Sequence, residues 1–135
     1  MPTNLTESRK AGFGLASEAN GNRSREAAVL ENGQDLEPGA VLGQVTGSGE
    51  YKEYDPGNGD GSETAVAVLF SRGDASAGAI DVTIIARDAE YNADALSWFS
   101  GASAGEITTG RAELEAVGIV VRDTGVTATL ADQNA

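Results

Sequence analysis

The chain reads as a mainly β protein: a small body of short strands with a short α-helix, entered through an extended N-terminal arm. Three observations predict this. Glycine supplies 18 of 135 residues and aromatics only 5%, while hydrophobic residues reach 40%, so the core must be Val, Ile, Leu and Ala set between many tight turns. Past residue 36, apolar runs of strand length recur between Gly- and Asp-rich turns. Residues 1–25, in contrast, show neither helical nor alternating periodicity. A chain of this length buries about two-thirds of its unfolded surface, enough for one modest core and a single folded body.

In the arm, residues 1–25, Gly12, Gly14, Gly21 and Asn22 would interrupt any regular element, and the free chain is expected to be disordered there. Phe13 and Leu15 flank Gly14 as the arm's exceptions. They read either as a docking segment that orders on a partner or as incidental hydrophobes in a mobile tail. Residues 26–30 suit a first strand, closed by the Asn32-Gly33 turn signal. Pro38-Gly39 then predicts a type II turn, since Pro presets the second position and Gly accepts the positive φ of the third.

Beyond that turn come extended runs over residues 41–46 and 50–54, and a loop over 55–62. The loop alternates Asp and Asn with Gly, as a calcium loop does. The twelfth position of such a loop needs a Glu, and it is Val66 counted from Asp55 and Leu69 counted from Asn58, so a solvated turn is the better reading. Residues 63–70 form a strong strand with apolar residues on both faces. Arg72-Gly73-Asp74 matches the tripeptide of integrin ligands, but a Gly-Asp turn accounts for it. Residues 79–87 place Ile80, Val82, Ile84 and Ala86 opposite Asp81, Thr83, Ile85 and Arg87, the period of a half-buried antiparallel strand.

Asp88, Glu90 and Asp94 could divide acid and base roles between carboxylates, although nothing in the pattern supplies a substrate cleft around them. Trp98 and Phe99, beside them, are expected to anchor the core or a subunit interface. With the aliphatic strands they exceed what so small a body should hide alone, which points to self-association. Ser103-Ala104-Gly105-Glu106 is a capping box, predicting a helix to about Val117 with Ile107, Gly110, Leu114 and Val117 on one face and Gly118 as its stop. A strand over 119–122 follows, and residues 123–135 form an extension with a further strand pattern over 126–130.

The composition also excludes. Without Cys or His there are no disulfides, thiol nucleophiles, zinc sites or Ser-His-Asp relay. No metal, cofactor or catalytic residue is therefore assigned. The formal charge of −12 lies in the body, because up to Glu31 the acids and bases balance. Lys52, Arg72, Arg87, Arg111 and Arg122 are too scattered to hold a phosphate backbone, so nucleic acid is not an expected partner. Nor is a membrane, since no apolar run approaches the ~20 residues of a span. The opening Met1-Pro2-Thr3-Asn4 has no basic or apolar region of a secretion signal.

Five stretches, in this order, resemble the head decoration proteins of lambda-like tailed phages: Gly39 to Val45; Asp60-Gly61 before the strand at Thr64 to Leu69; Glu90-Tyr91-Asn92-Ala93-Asp94-Ala95-Leu96-Ser97-Trp98; the short helix; and Gly118-Ile119-Val120-Val121. The resemblance runs from about Phe13 to Arg122. Phe99 departs from it, standing where the family often has Pro, and residues 123–135 extend past the usual end.

The resemblance implies a mainly β fold, β-clip or β-tulip-like, with one or two short α-helices. Read together with the composition, the chain divides into an arm (1–25), a decoration domain (26–122) and an extension (123–135). The resemblance implies a structural, non-enzymatic protein made in the host cytoplasm and carried on the outer surface of the virion. There a homotrimer sits on local three-fold positions of the expanded capsid, binds the major capsid protein and cements the head against DNA pressure. The family's arm orders on the coat shell, which makes Phe13, Gly14 and Leu15 the expected capsid-binding residues; Trp98 and Phe99, on their own chemistry, are the expected trimer or core anchors. A small secreted carbohydrate-binding or adhesion module is the rival reading.

Overall fold

The structure is a computed structural model and describes residues 10–21 and 23–123. Its strands are β1 (Leu15–Glu18), β2 (Arg25–Leu30), β3 (Asp35–Leu36), β4 (Val41–Gln44), β5 (Tyr51–Glu53), β6 (Ala67–Leu69), β7 (Gly73–Asp74), β8 (Ile80–Ile85), β9 (Ala89–Asn92) and β10 (Ile119–Arg122). One helix, α1 (Ala104–Ala116), precedes β10, and a 3₁₀ turn covers Ala93–Ala95. The expansion of apolar runs after residue 36 thus does correspond to a mainly β body. The strand expected over 126–130 lies outside the described residues.

Five strands close a barrel in the order β2-β5-β4-β6-β8. Its longest seam is β2 against β8, antiparallel from Arg25↔Ile85 to Leu30↔Ile80. Closure satisfies backbone groups that an open sheet would leave along its edges. Ala28, Leu30, Leu42, Tyr51, Ala67, Leu69, Ile80, Val82 and Ile84 pack in one cluster to which every barrel strand contributes. Their spacing of two along β2, β6 and β8 identifies that cluster as the barrel interior.

The alternate residues Val41, Val68 and Ile85 face a second core with Tyr54, Tyr91, Leu96, Leu114 and Ile119. This core lies between the barrel wall, α1 and a three-stranded sheet ordered β1-β9-β10. The alternation expected over 79–87 holds from Ile80 to Ile84 and gives way at Ile85. Ile85, placed by its period among Asp81, Thr83 and Arg87, is fully buried because the second layer covers that end of the wall. Covered on both sides, that end of the strand is apolar on both faces, while Asp81 and Thr83 face outward nearer its start.

The turn at Pro38-Gly39 forms as expected, with Gly39 at φ +99° and the Ala40 N–H donating to the Glu37 carbonyl at 3.2 Å. The capping box is complete: the Glu106 N–H donates to Ser103 Oγ at 3.1 Å, and the Ser103 N–H to Glu106 Oε1 at 3.0 Å. The strand expected over 63–70 begins only at Ala67. Upstream, the Val66 N–H still donates to the Leu42 carbonyl at 2.9 Å, but the Ala65 N–H donates to Glu113 Oε1 of α1 at 2.9 Å and not to a neighbouring strand.

Gly73 and Asp74 form β7 against β3 rather than a turn. A Cβ at Gly73 would lie 2.6 Å from Leu30 Cδ2, so close packing on the barrel explains that glycine. Arg72 beside it is held between Asp35, at 2.7 Å, and Glu37. A tripeptide so engaged presents no free ligand loop.

The arm differs most from expectation. Residues 15–18, which carry no strand periodicity, form β1 on β9 with Leu15↔Tyr91 and Glu18↔Ala89 in register and a bulge between Leu15 and Ser17. Disorder up to Arg25 is thus not what the described residues show. Partners distant in sequence supply what the local pattern lacks: the Gly12 N–H donates to the Phe70 carbonyl at 2.8 Å, and the Asn92 N–H to the Gly14 carbonyl at 2.8 Å.

Candidate functional site: the arm strand and its anchors

The segment from Lys10 to Arg25 is held at both ends. At the start, two tight turns are closed by Phe13 N–H to the Lys10 carbonyl at 3.0 Å and Leu15 N–H to the Gly12 carbonyl at 2.9 Å. Between them Gly14, at φ +84°, lies so close to the 3₁₀ turn that a Cβ would sit 2.2 Å from Ala95 Cβ. Only glycine meets both requirements there. Leu15 then turns inward onto the second core, while Phe13 is 42% exposed, the only large hydrophobic so exposed among the described residues.

At the far end Arg25 makes a forked pair with Glu18, Nε to Oε1 at 3.0 Å and Nη2 to Oε2 at 2.8 Å. Its guanidinium stacks on Phe70, 4.1 Å from the ring centroid. The Glu18 hydrogen bond is the main influence holding the Arg25 pKa up. Buried Ser24 completes the anchor, accepting from the Ala19 N–H and donating to the Asp88 carbonyl, both at 2.8 Å. β1 is an outer strand of its sheet, so the backbone edge away from β9 is the kind of surface to which another strand can add.

Trp98 and Phe99 are half-buried against the second core rather than displayed. Tyr54 meets both edge-to-face, each at 5.9 Å between centroids. Its hydroxyl donates to the Glu106 carbonyl at 3.3 Å, tying the aromatic group to α1. Trp98 and Phe99 both keep part of their surface accessible, and Phe13 is the one large hydrophobic among the described residues that is exposed outright. Two facing cores hide what one core could not.

Each arginine of the described residues is paired with a carboxylate, including Arg87 with Glu26, Arg122 with Glu90 at 3.2 Å, and Arg111 with Asp123 at 3.3 Å. The unmatched acids therefore set the sign of the surface field. Asp88 and Glu90 do share an open groove of about 400 Å³ with Glu18 and Arg23. The Arg122 hydrogen bond keeps the Glu90 carboxyl below its ordinary range, the opposite of what a general acid requires. Asp94 lies apart, in the 3₁₀ turn.

Sequence reasoning missed Ser24, the Glu18–Arg25 pair and β9. For β9 a signal existed: Ala89 and Tyr91 alternate with Glu90 and Asn92, and the first pair is buried. For Ser24 and Glu18 there was none, because their partners lie in other elements.

Residues 4–119 match the family model of bacteriophage lambda head decoration protein D. The chain belongs to this family. No curated protein matches it. Family membership makes the chain a structural component of a phage head, and its match spans the arm, the barrel and the helix, ending at the start of β10.

Proposed function

We propose that three copies of this decoration protein sit together on local three-fold positions on the outside of the expanded head, each bridging neighbouring coat subunits and stiffening the shell against the pressure of packaged DNA. Modest contacts repeated over a trimer and over the shell add through effective concentration. The acidic surface keeps virions apart and does not compete for the DNA within. The reading rests on the family match together with one observation, the exposed Phe13 on an anchored arm beside an open strand edge.

In this reading Phe13 meets the coat, while Gly14 and Leu15 hold the arm on the body so that Phe13 points outward. Covering its exposed part is worth about 2 kcal/mol per copy, taking roughly 200 Å² for the whole ring and 25 cal/mol per Å². Trp98 and Phe99 serve the core through Tyr54, and a trimer contact would use other surfaces. The test mixes purified protein with expanded, undecorated heads and images them. Density at three-fold positions supports the reading, and its absence at saturating protein ends it. Sedimentation of the free and head-bound protein checks the trimer. The Phe13→Ala chain should melt as a folded protein but need a higher concentration to saturate heads. Equal saturation would move the coat contact elsewhere on the body.

A further inference from the structure

We propose that Asn20 is a site of spontaneous deamidation, the first asparagine of the folded chain to convert to aspartate and isoaspartate. The chemistry needs no cofactor. The Gly21 backbone nitrogen gives up its proton to base and bonds to the Asn20 side-chain carbonyl carbon, the bond from that carbon to the amide nitrogen breaks, and ammonia leaves. Water then opens the succinimide ring at either carbonyl. Nothing is oxidised or reduced. A following glycine favours the attack because no Cβ crowds the nitrogen.

Three Asn-Gly pairs occur: Asn20-Gly21, Asn32-Gly33 and Asn58-Gly59. Two are restrained by the fold. The Gly33 N–H, the nucleophile at Asn32, donates to the Ala75 carbonyl at 2.8 Å. The Asn58 side-chain amide donates to Ser62 Oγ at 2.8 Å, and its own N–H to the Asp55 carbonyl at 2.9 Å. The related Asp60-Gly61 pair is restrained too, with the carboxylate on Ser62 and Lys52 and the Gly61 N–H on Glu63 Oε1 at 2.8 Å.

Asn20 stands apart. It is exposed, and among the described residues no hydrogen bond engages its carboxamide or the Gly21 N–H. Gly21 sits at φ +69° with no atom within 4 Å of where a Cβ would be. The neighbours that fix the loop, Ala19 and Ser24, hold its ends and not this bond. A hydrogen bond that must be given up before attack slows the reaction by a few-fold to about tenfold. That is the margin expected for Asn20 over Asn32 and Asn58. Conversion puts a new negative charge on each copy, in the loop joining the Glu18–Arg25 pair.

The full chain is incubated at mildly alkaline pH in water enriched in heavy oxygen, and its peptides are followed by mass spectrometry. A parallel sample is kept unfolded in denaturant. In the native sample Asn20 should take up label first, with both aspartyl and isoaspartyl products, while in denaturant the three sites should convert at similar rates. Gly21→Ala should suppress the native reaction without a change in folding by circular dichroism. Native conversion led by Asn32 or Asn58, no preference for Asn20 over them, or the same order of sites with and without denaturant would each overturn the proposal.

Discussion

Gly110→Ala tests whether α1 is seated on the aromatic group as tightly as the structure has it. The new Cβ would lie 2.5 Å from Trp98 Cζ3, 3.0 Å from Cη2 and 3.1 Å from Tyr54 Cε2. Carbon atoms rest at about 3.5–4.0 Å, so something must move by about 1 Å. Neither ring retreats easily: they brace one another edge-to-face at 5.9 Å, and the Tyr54 hydroxyl is bonded to the same helix. Overpacking of this kind costs about 1–3 kcal/mol. Replacing a mid-helix glycine returns about 1 kcal/mol of propensity, leaving a net loss of about 1 kcal/mol and a fall in Tm of several degrees for a domain of this size. Thermal unfolding followed together by circular dichroism and by the fluorescence of Trp98, the chain's one tryptophan, measures it. Combining Gly110→Ala with Trp98→Leu should cost less than the sum of the two single changes, because the smaller side chain makes room for the methyl. A higher Tm for Gly110→Ala would refute the reasoning, since propensity alone would then be acting and the ring could not be pressed on the helix there.

Three further outcomes follow from other contacts. Ser103→Ala removes half of the capping box and should lower stability by about 0.5–2 kcal/mol in urea unfolding, with little change in head binding; an unchanged midpoint would mean the cap contributes nothing. Leu15→Ala removes a side chain packed on the second core and should cost about 1–3 kcal/mol of stability, so that deleting residues 1–18 lowers Tm and does not merely release the head; equal melting of the deleted and full chains would show that β1 adds nothing to the body. Asp60 is held down to about 2 from an ordinary 3.8, chiefly by the Ser62 hydroxyl, then the Ser62 N–H, with Lys52 as a lesser influence. A depressed carboxylate stabilises the fold above its unfolded pKa and loses that contribution as pH falls through the folded one. The parent's Tm should therefore drop between those two values more steeply than that of Asp60→Asn, and equally steep profiles would remove Asp60 from the acid transition.

What could be read from the chain by itself was whatever a few neighbouring residues decide. The Pro38-Gly39 turn and the Ser103–Glu106 cap depend on backbone preferences and hydrogen bonds within one turn, so the pattern carries them whole, and the strands at 26–30 and 119–122 were legible as short apolar runs although their partners, β8 and β9, were not. The ordered motifs from Gly39 to Val121 carried the family as well. The tertiary structure alone decided which groups meet across long separations. The alternation over 79–87 could not reveal that Ile85 is covered, because the layer covering it comes from β9, α1 and β10. Nor could the arm show a strand, since Leu15–Glu18 has no periodicity of its own and takes its order from Tyr91, Asn92 and Arg25. Trp98 and Phe99 were expected to exceed what one core hides, and a second core built on Tyr54 and α1 accommodates them. The physical reason is common to all three cases: burial and strand pairing belong to two surfaces at once, and a linear pattern describes only one of them.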